Sequence, residues 1–357
     1  MELNKFESGY LNDKKISIIA GPCSAESEEQ VLETAERLFN QGIRIFRAGV
    51  WKPRTKPGGF EGHGTTALSW LDKVGSKFKR EMQIAVEVAT KEQASQAIQF
   101  ADILWVGART TGNPFAVQEL ADYFASMPQY FKDNLWVFVK NPMAPDLELW
   151  IGAIERIYNA GIKNIAAIHR GFTVAEKSIY RNEPMWNIPI ELKNRIPSIS
   201  MFCDPSHISG KRELISSISQ QALNLGFDGL MIESHCNPDE AITDKAQQLA
   251  PEDMCCILDK LVVRDNLDST ENMRVLRGQI DILDDKLINL LSKRFEVCKA
   301  IGKAKKEHNM PILQSSRFKE ISEKRAKQAE LIGIDPKFIH DLFVSLQNEA
   351  IRIQLSI

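Results

Sequence analysis

Short apolar runs recur at intervals of roughly 30 residues through the first 260 or so residues, and they constrain the fold most strongly. Many of their residues are β-branched, and apolar and polar residues do not alternate, as expected of parallel strands buried on both faces. Amphipathic stretches separate the runs. Eight strands alternating with helices over about 250 residues predict an α/β fold of the (β/α)8, or TIM barrel, type. The predicted strands are 16–20, 43–48, 84–88, 103–106, 136–139, 164–168, 200–203 and 230–233.

A doubly wound α/β sheet is the structural alternative. The dinucleotide-binding form of that fold requires a GxGxxG turn between the first strand and its helix. No such turn follows residues 16–20. The barrel is therefore favoured.

The pattern changes after Arg264. Asp268-Ser269-Thr270-Glu271 offers a helix N-cap followed by an acid, and leucines and isoleucines then repeat at helical spacing. We predict three helices, at about 269–307, 316–331 and 336–356. The sequence thus divides into a barrel at 1–264 and a separate all-α domain at 265–357. The first helix is too long for a compact three-helix monomer, which predicts a homodimer through this domain.

Composition excludes several classes of protein. The formal charge of -2 gives no general attraction to nucleic acid, and no apolar run is long enough for a membrane span. The first 15 residues lack a signal-peptide core, so we expect a cytoplasmic protein with mostly reduced cysteines. We expect neither nucleic acid nor membrane as a partner.

Polar residues follow the predicted strands where an active site of a barrel lies. Four cations, Arg44, Arg47, Lys52 and Arg54, cluster near the end of the second strand. Such a cluster suits an anionic ligand, because arginine donors match phosphate and carboxylate oxygens. A cysteine, a histidine and carboxylates among the other strand ends would suit a transition-metal dication.

Several of these segments resemble the 3-deoxy-arabino-heptulosonate 7-phosphate (DAHP) synthases, in particular the shorter subfamily related to octulosonate 8-phosphate synthases. The resemblance spans residues 16–261. Its segments are GPCSAES (21–27), RAGVWKPRT (47–55), VGAR (106–109), HRGF (169–172), DPSHISGKR (204–212) and ESHCNP (233–238).

The resemblance implies condensation of phosphoenolpyruvate with erythrose 4-phosphate. It implies a divalent metal (Mn, Fe, Co or Zn) held by Cys23, His207, Glu233 and Asp244. Arg47, Lys52, Arg109, Lys140 and Arg170 match positions that bind phosphoenolpyruvate. Arg54, Thr55 and Asp204 match positions around erythrose 4-phosphate, and Lys52, Arg47 and Asp204 are the catalytic candidates. We expect Glu87 to be a strand-end acid outside the site.

Octulosonate synthases are the alternative for this domain. They carry a KANRSS-like loop for a larger sugar phosphate where this chain has KPRT at 52–55. That loop favours the four-carbon sugar.

The segment 276–305 resembles the first helix of the all-α chorismate mutases, and the resemblance continues to Gln354. It implies that chorismate is a substrate and is converted to prephenate. The matched ligand-binding positions are Arg277, Arg294, Lys305, Arg317 and Gln354, with Lys305 and Gln354 serving the reacting ether oxygen. Arg277 lies about 25 Å from Arg294 along one helix. The two arginines are therefore too far apart to bind one ligand within a single chain. In that family, the first arginine of each pocket comes from the other subunit.

Two departures leave an alternative open. Gln314 stands where an acid is frequent, and Phe318 replaces a glutamate that holds the chorismate hydroxyl in that family. The helical domain could then be a non-catalytic chorismate or prephenate sensor and dimerisation module.

Overall fold

The computed structural model describes residues 1–11, 14–52, 58–175, 178–264, 271–313 and 315–357. The chain divides into two compact units, Met1–Asn266 and Leu267–Ile357. The boundary between residues 264 and 265 stays a prediction. Among the helices in the described ranges, none combines the length and apolarity needed to cross a bilayer.

The first unit is a closed barrel of eight parallel strands. Consecutive strands pair in order, and the first of them also pairs with the last, which closes the sheet. The strands are β2 (Lys14–Gly21), β3 (Ile45–Ala48), β4 (Gln83–Val88), β5 (Ile103–Val106), β6 (Trp136–Lys140), β7 (Ile165–His169), β8 (Ser200–Cys203) and β9 (Gly229–Glu233). Each predicted strand lies within two residues of an observed one, so the (β/α)8 prediction is confirmed.

Helices surround the barrel. They are α1 (Glu28–Asn40), α2 (Thr65–Lys77), α3 (Lys91–Ala97), α4 (Ala108–Thr111), α5 (Pro114–Ser126), α6 (Gln129–Asn134), α7 (Leu147–Asn159), α8 (Asn187–Arg195), α9 (Pro205–Ser209), α10 (Arg212–Asn224) and α11 (Pro251–Lys260). A short 3-10 turn covers Pro238–Glu240. Side-chain caps begin several helices, because Ser27, Thr90 and Asp146 each accept a backbone N–H of the first turn.

An N-terminal segment, which the sequence did not predict, packs against the barrel. The two-residue strand β1 (Tyr10–Leu11) pairs antiparallel with β2. The Phe6 ring is buried edge-on against Trp136, Phe138 and Phe202, with ring centroids 4.7, 5.1 and 5.5 Å away. Phe6 thereby joins the aromatic cluster inside the barrel at the end opposite the strand C-termini.

The second unit has the three predicted helices: α12 (Glu271–Glu307), α13 (Ser315–Glu330) and α14 (Pro336–Leu355). The 37 residues of α12 extend about 55 Å at 1.5 Å per residue. Several of its apolar side chains are exposed, including Leu276, Ile280, Leu283, Leu287 and Leu290. An exposed helix face with so many apolar side chains is typical of a protein–protein interface.

Candidate active sites

A cavity of about 390 Å³ opens at the C-terminal ends of the barrel strands. Six residues predicted from the sequence line it: Lys52, Arg109, Lys140, Arg170, His207 and Asp244. Further lining residues include Glu87, Thr110, Thr173, Arg181 and Asn182. The barrel thus brings together residues from six segments that are far apart in sequence.

Arg170 is a buried cation that has no ionic partner among the residues that the structure describes. It follows β7, and its Nη1 donates to Asn182 Oδ1 (2.8 Å) and Gly171 O (3.4 Å). Throughout the described ranges, no carboxylate lies within ion-pair distance of Arg170 or of the exposed Arg109. Burial lowers the pKa of Arg170 to about 10, so the side chain stays protonated at neutral pH. A buried guanidinium with neutral partners is stabilised by a bound anion.

Asp204 orients two neighbouring groups rather than lining the cavity. Its Oδ2 lies 2.8 Å from Lys140 Nζ, and its Oδ1 accepts the His207 backbone N–H at 3.0 Å. His207 Nδ1 is also 2.8 Å from Oδ2. Burial opposes ionisation of this carboxyl, but His207 and Lys140 together hold its pKa well below the usual range. In the structure Asp204 contacts Lys140 and His207, and its expected place near the sugar phosphate stays a prediction.

Three of the four predicted metal ligands form a cluster. Ligand atoms of Cys23, Glu233 and Asp244 all lie within 4.8 Å of one another. Cys23 Sγ is 3.3 Å from Asp244 Oδ2. His207 lies outside this tight group, although its Nε2 is 3.8 Å from Glu233 Oε1.

The donor chemistry of the cluster fits a metal ion. Burial raises the pKa of the Cys23 thiol to about 12, so the sulfur keeps its proton at neutral pH unless a metal ion binds to it. Burial also opposes ionisation of Asp244, yet the Arg181 charge lowers its pKa to about 2. One sulfur, two carboxylates and an adjacent imidazole are a mixed set that suits a divalent transition metal. The cluster is a possible metal site.

Arg47 does not reach the cavity. Its Nη1 forms a buried ion pair with Glu233 Oε1 at 2.9 Å, and its Nη2 lies 3.4 Å from Cys23 O. The resemblance implies that Arg47 binds phosphoenolpyruvate, which stays a prediction; in the structure its side chain contacts Glu233, a member of the possible metal site. The other expected sugar-phosphate residues, Arg54 and Thr55, lie outside the described residues.

Sequence reasoning missed several residues around this site, among them Glu87, Arg181, Asn182 and Gln247. Glu87, expected outside the site, lies in the cavity wall. Its position at the end of β4 is the same signal that identified the other strand-end residues. Arg181, Asn182 and Gln247 come from loops, where no periodicity marks them.

The helical unit holds a second cavity of about 330 Å³. Arg294, Lys305 and Gln354 line it as predicted. Lys305 Nζ donates to Ile312 O (2.6 Å) and Gln354 Oε1 (3.3 Å). Arg294 Nη1 donates to Leu346 O at 3.1 Å.

The other predicted residues of this pocket are placed differently. Arg277 is exposed on α12 and is not among the described lining residues. Arg317 lies on α13, and its side chain is outside the described part of the structure. Gln347, which the sequence did not reveal, lines the pocket; its side chain is buried, and its Nε2 has no hydrogen-bond partner among the described residues.

Family models match both units of the chain. The DAHP synthetase I family model matches residues 7–265, and the chorismate mutase type II model matches residues 276–355. A phospho-2-dehydro-3-deoxyheptonate aldolase from Thermotoga maritima is 30% identical over 245 residues, covering 69% of this chain and 67% of the relative. A 2-dehydro-3-deoxyphosphooctonate aldolase from Geobacter sulfurreducens is 28% identical over 270 residues, covering 70% and 92%.

A solved structure of the Thermotoga maritima DAHP synthase superposes with a TM-score of 0.59 at 28% identity, covering 69% of this chain and 67% of that one. A truncated form of the enzyme gives a TM-score of 0.57 at 27% identity, covering 69% and 84%. The barrel, its cationic cavity and the match over most of the chain lead to one assignment: the chain belongs to the DAHP synthetase I family and carries a C-terminal chorismate mutase type II domain.

Proposed function

We propose that the barrel cavity condenses phosphoenolpyruvate with erythrose 4-phosphate and water, giving DAHP and phosphate. The observation that carries this proposal is Arg170, a buried cation for which the described ranges hold no carboxylate partner, in the same cavity as Asp244 of the metal-donor cluster. The site is thereby suited to a phosphorylated substrate beside a Lewis acid. Arg109, Lys140 and Lys52 extend the positive surface on which the phosphate and carboxylate of phosphoenolpyruvate bind.

Cys23, His207, Glu233 and Asp244 would hold a divalent metal (Mn, Fe, Co or Zn), which when bound supplies a Lewis acid for the sugar aldehyde. Lys52 Nζ lies 2.7 Å from Cys23 O and 3.1 Å from Cys23 Sγ, so its charge sits between the donor cluster and the cavity. Burial opposes ionisation of Glu233, but His207 and Arg47 together lower the pKa of its carboxyl. Asp204 fixes the positions of Lys140 and His207.

These residues hold the two substrates in reacting geometry. C3 of phosphoenolpyruvate forms the new carbon–carbon bond with the aldehyde carbon, water adds at C2, and the C2–oxygen bond to phosphate breaks. The fixed cations stabilise the negative charge on the departing phosphate.

Chelation tests the proposal. A chelator should abolish DAHP formation, and one of the four divalent metals should restore it. Cys23→Ala should bind metal weakly and keep the barrel fold. DAHP formation at the full rate in metal-free protein would contradict the proposed site.

The octulosonate relatives supply the second candidate, because an aldolase of that class covers as much of this chain as the DAHP enzyme does. We infer from KPRT that Arg54 and Thr55 select erythrose 4-phosphate. Arg54→Ala should then raise the KM for erythrose 4-phosphate far more than the KM for phosphoenolpyruvate. A native preference for arabinose 5-phosphate would favour the octulosonate reaction instead.

For the helical unit we propose conversion of chorismate to prephenate. Arg294, Lys305 and Gln354 share one cavity, which suits a small dianion with a polar ether oxygen. Arg317 of the same chain and the partner subunit's Arg277 complete the proposed pocket in a homodimer. The exposed apolar face of α12 supports the homodimer, and the chorismate mutase family match supports the catalytic function over the non-catalytic sensor. We also propose that the enzyme is cytoplasmic, where these metabolites are made.

A further inference from the structure

A dipeptide in the loop between β7 and α8, Arg181-Asn182, sits beside the metal-donor cluster. Both backbone N–H groups donate to Ile208 O, at 3.0 and 3.1 Å. Two glycines make room for it: a Cβ at Gly210 would lie 2.6 Å from Arg181 Cβ, and one at Gly171 would lie 2.7 Å from Asn182 O. Both glycines have left-handed φ, of 65° and 76°. The dipeptide is therefore held at a fixed place against α9, the short helix that carries His207.

Arg181 contacts one carboxylate of the cluster, Asp244, directly and is linked to the other, Glu233, through Gln247. Its Nη1 lies 3.0 Å from Asp244 Oδ1 and 2.7 Å from Gln247 Oε1. Gln247, which is 1% exposed, donates from Nε2 to Glu233 Oε2 at 2.8 Å. The two bonds fix the orientation of the Gln247 amide, since one end must accept and the other must donate.

The network uses only one oxygen of each carboxylate. Asp244 Oδ1 and Glu233 Oε2 accept from Arg181 and Gln247, whereas Asp244 Oδ2 faces Cys23 Sγ and Glu233 Oε1 faces Arg47 and His207. Hydrogen bonds to the second oxygen restrict rotation of a carboxylate and keep its first oxygen aimed at a ligand.

The neighbouring Asn182 connects the same dipeptide to the substrate side. Its Oδ1 accepts from Arg170 Nη1 at 2.8 Å, and its Nδ2 donates to His207 O at 2.6 Å. Substrate-binding and metal-donor residues thus share one anchor.

We propose that Arg181 and Gln247 are positioning residues, which hold Asp244 and Glu233 in the orientation that binds the metal. The proposal rests on the metal centre proposed above. Residues that orient metal ligands typically contribute about 10- to 100-fold to metal affinity.

Titration of metal-free full-length protein with Co²⁺ alone tests this, read by the absorption of the Cys23 thiolate–Co²⁺ bond. Arg181→Met and Gln247→Met should each weaken Co²⁺ binding about 10- to 100-fold. Arg181→Lys, which keeps a cationic donor, should recover part of the affinity. The matched control is Arg195→Met, because Arg195 also pairs with two carboxylates, Glu148 and Glu191, but on the C-terminal end of α8. It should bind Co²⁺ like the wild type.

The six tryptophans all lie in the barrel unit, so their fluorescence reports whether each variant is folded. Arg181→Met removes the bond to Asp244, and Gln247→Met removes the bond to Glu233. If one variant does not fold, the Co²⁺ affinity of the other still tests the proposal. Wild-type affinity in a folded Arg181→Met or Gln247→Met variant overturns this inference alone. The metal centre itself is overturned if the wild-type protein shows no thiolate–Co²⁺ absorption on titration, or if Cys23→Ala keeps that absorption.

Discussion

Arg47 and Glu233 form an ion pair inside the barrel, with Nη1 and Oε1 2.9 Å apart and both side chains at most 2% exposed. Removing one member of such a pair leaves a buried charge, which typically costs about 3–5 kcal/mol. We expect Arg47→Met to lower the free energy of unfolding of the metal-free barrel by that amount, measured by urea denaturation followed by tryptophan fluorescence.

The matched control is Lys73→Met, which breaks an exposed pair with Glu28 at 2.7 Å. Such a pair contributes about 1 kcal/mol or less. An equal loss of unfolding free energy in the two variants would contradict a structural role for the buried Arg47–Glu233 ion pair.

The buried His169 should make barrel stability depend on pH. Burial lowers its pKa from 6.5 to about 3. Below pH 6.5 the unfolded chain binds a proton that the folded chain does not, so stability is complete above that pH and falls as the pH drops toward 3. From pH 7 to pH 5 this residue should account for a loss of about 2 kcal/mol.

His169→Phe removes the titrating group but keeps an aromatic ring beside Trp186 and Phe172. Urea midpoints at pH 7 and pH 5 should therefore differ less in the variant than in the wild type. The same pH dependence in both proteins would show that His169 is not the source.

Regular, buried elements of this protein were predictable from its sequence, whereas irregular segments and side-chain packing were not. The strands were predictable because a strand buried on both faces needs an unbroken apolar run. Lys305 and Gln354 were predictable because the resemblance and regular helices set their positions. Phe6 and β1 were not, since a two-residue strand has no period. Burial of Arg47 depends on side-chain packing within the barrel, which local sequence does not encode.

The same limit applies to Arg181 and Gln247. They meet only because two loops approach each other after the barrel closes, and neither loop has a periodic pattern. Glu87, in contrast, stood at a strand end and could have been included by the rule that identified Lys140 and Arg170.

Gln347 should contribute to ligand binding in the helical pocket. Its buried Nε2 has no partner in the described structure, so a ligand oxygen would satisfy it. Gln347→Leu should raise the KM for chorismate about 3- to 10-fold, the effect of one hydrogen bond. Gln328→Leu, a change at an exposed position on α13, is the control and should leave the KM unchanged. An unaltered KM in Gln347→Leu would exclude the contact.

Mixed dimers test whether Arg277 acts across subunits. Arg277 and Arg294 are about 25 Å apart along α12, too far to share a ligand within one chain. Arg277→Ala and Arg294→Ala should each lose nearly all mutase activity. Refolded together, they should regain activity, because one pocket of each heterodimer then has both arginines. Verified heterodimers without recovered activity would mean that Arg277 does not complete the partner's pocket.

The most direct test of the account measures both activities in the same full-length protein carrying one substitution at a time. Arg170→Met should abolish DAHP formation and leave chorismate consumption near the wild-type rate, because it removes the buried cation of the barrel cavity. Lys305→Met should do the reverse, because Lys305 lines the proposed chorismate pocket of the helical unit. This double dissociation is the predicted result. A wild-type protein that consumes no chorismate, or a Lys305→Met variant that still consumes it at the wild-type rate, would contradict the two-site account.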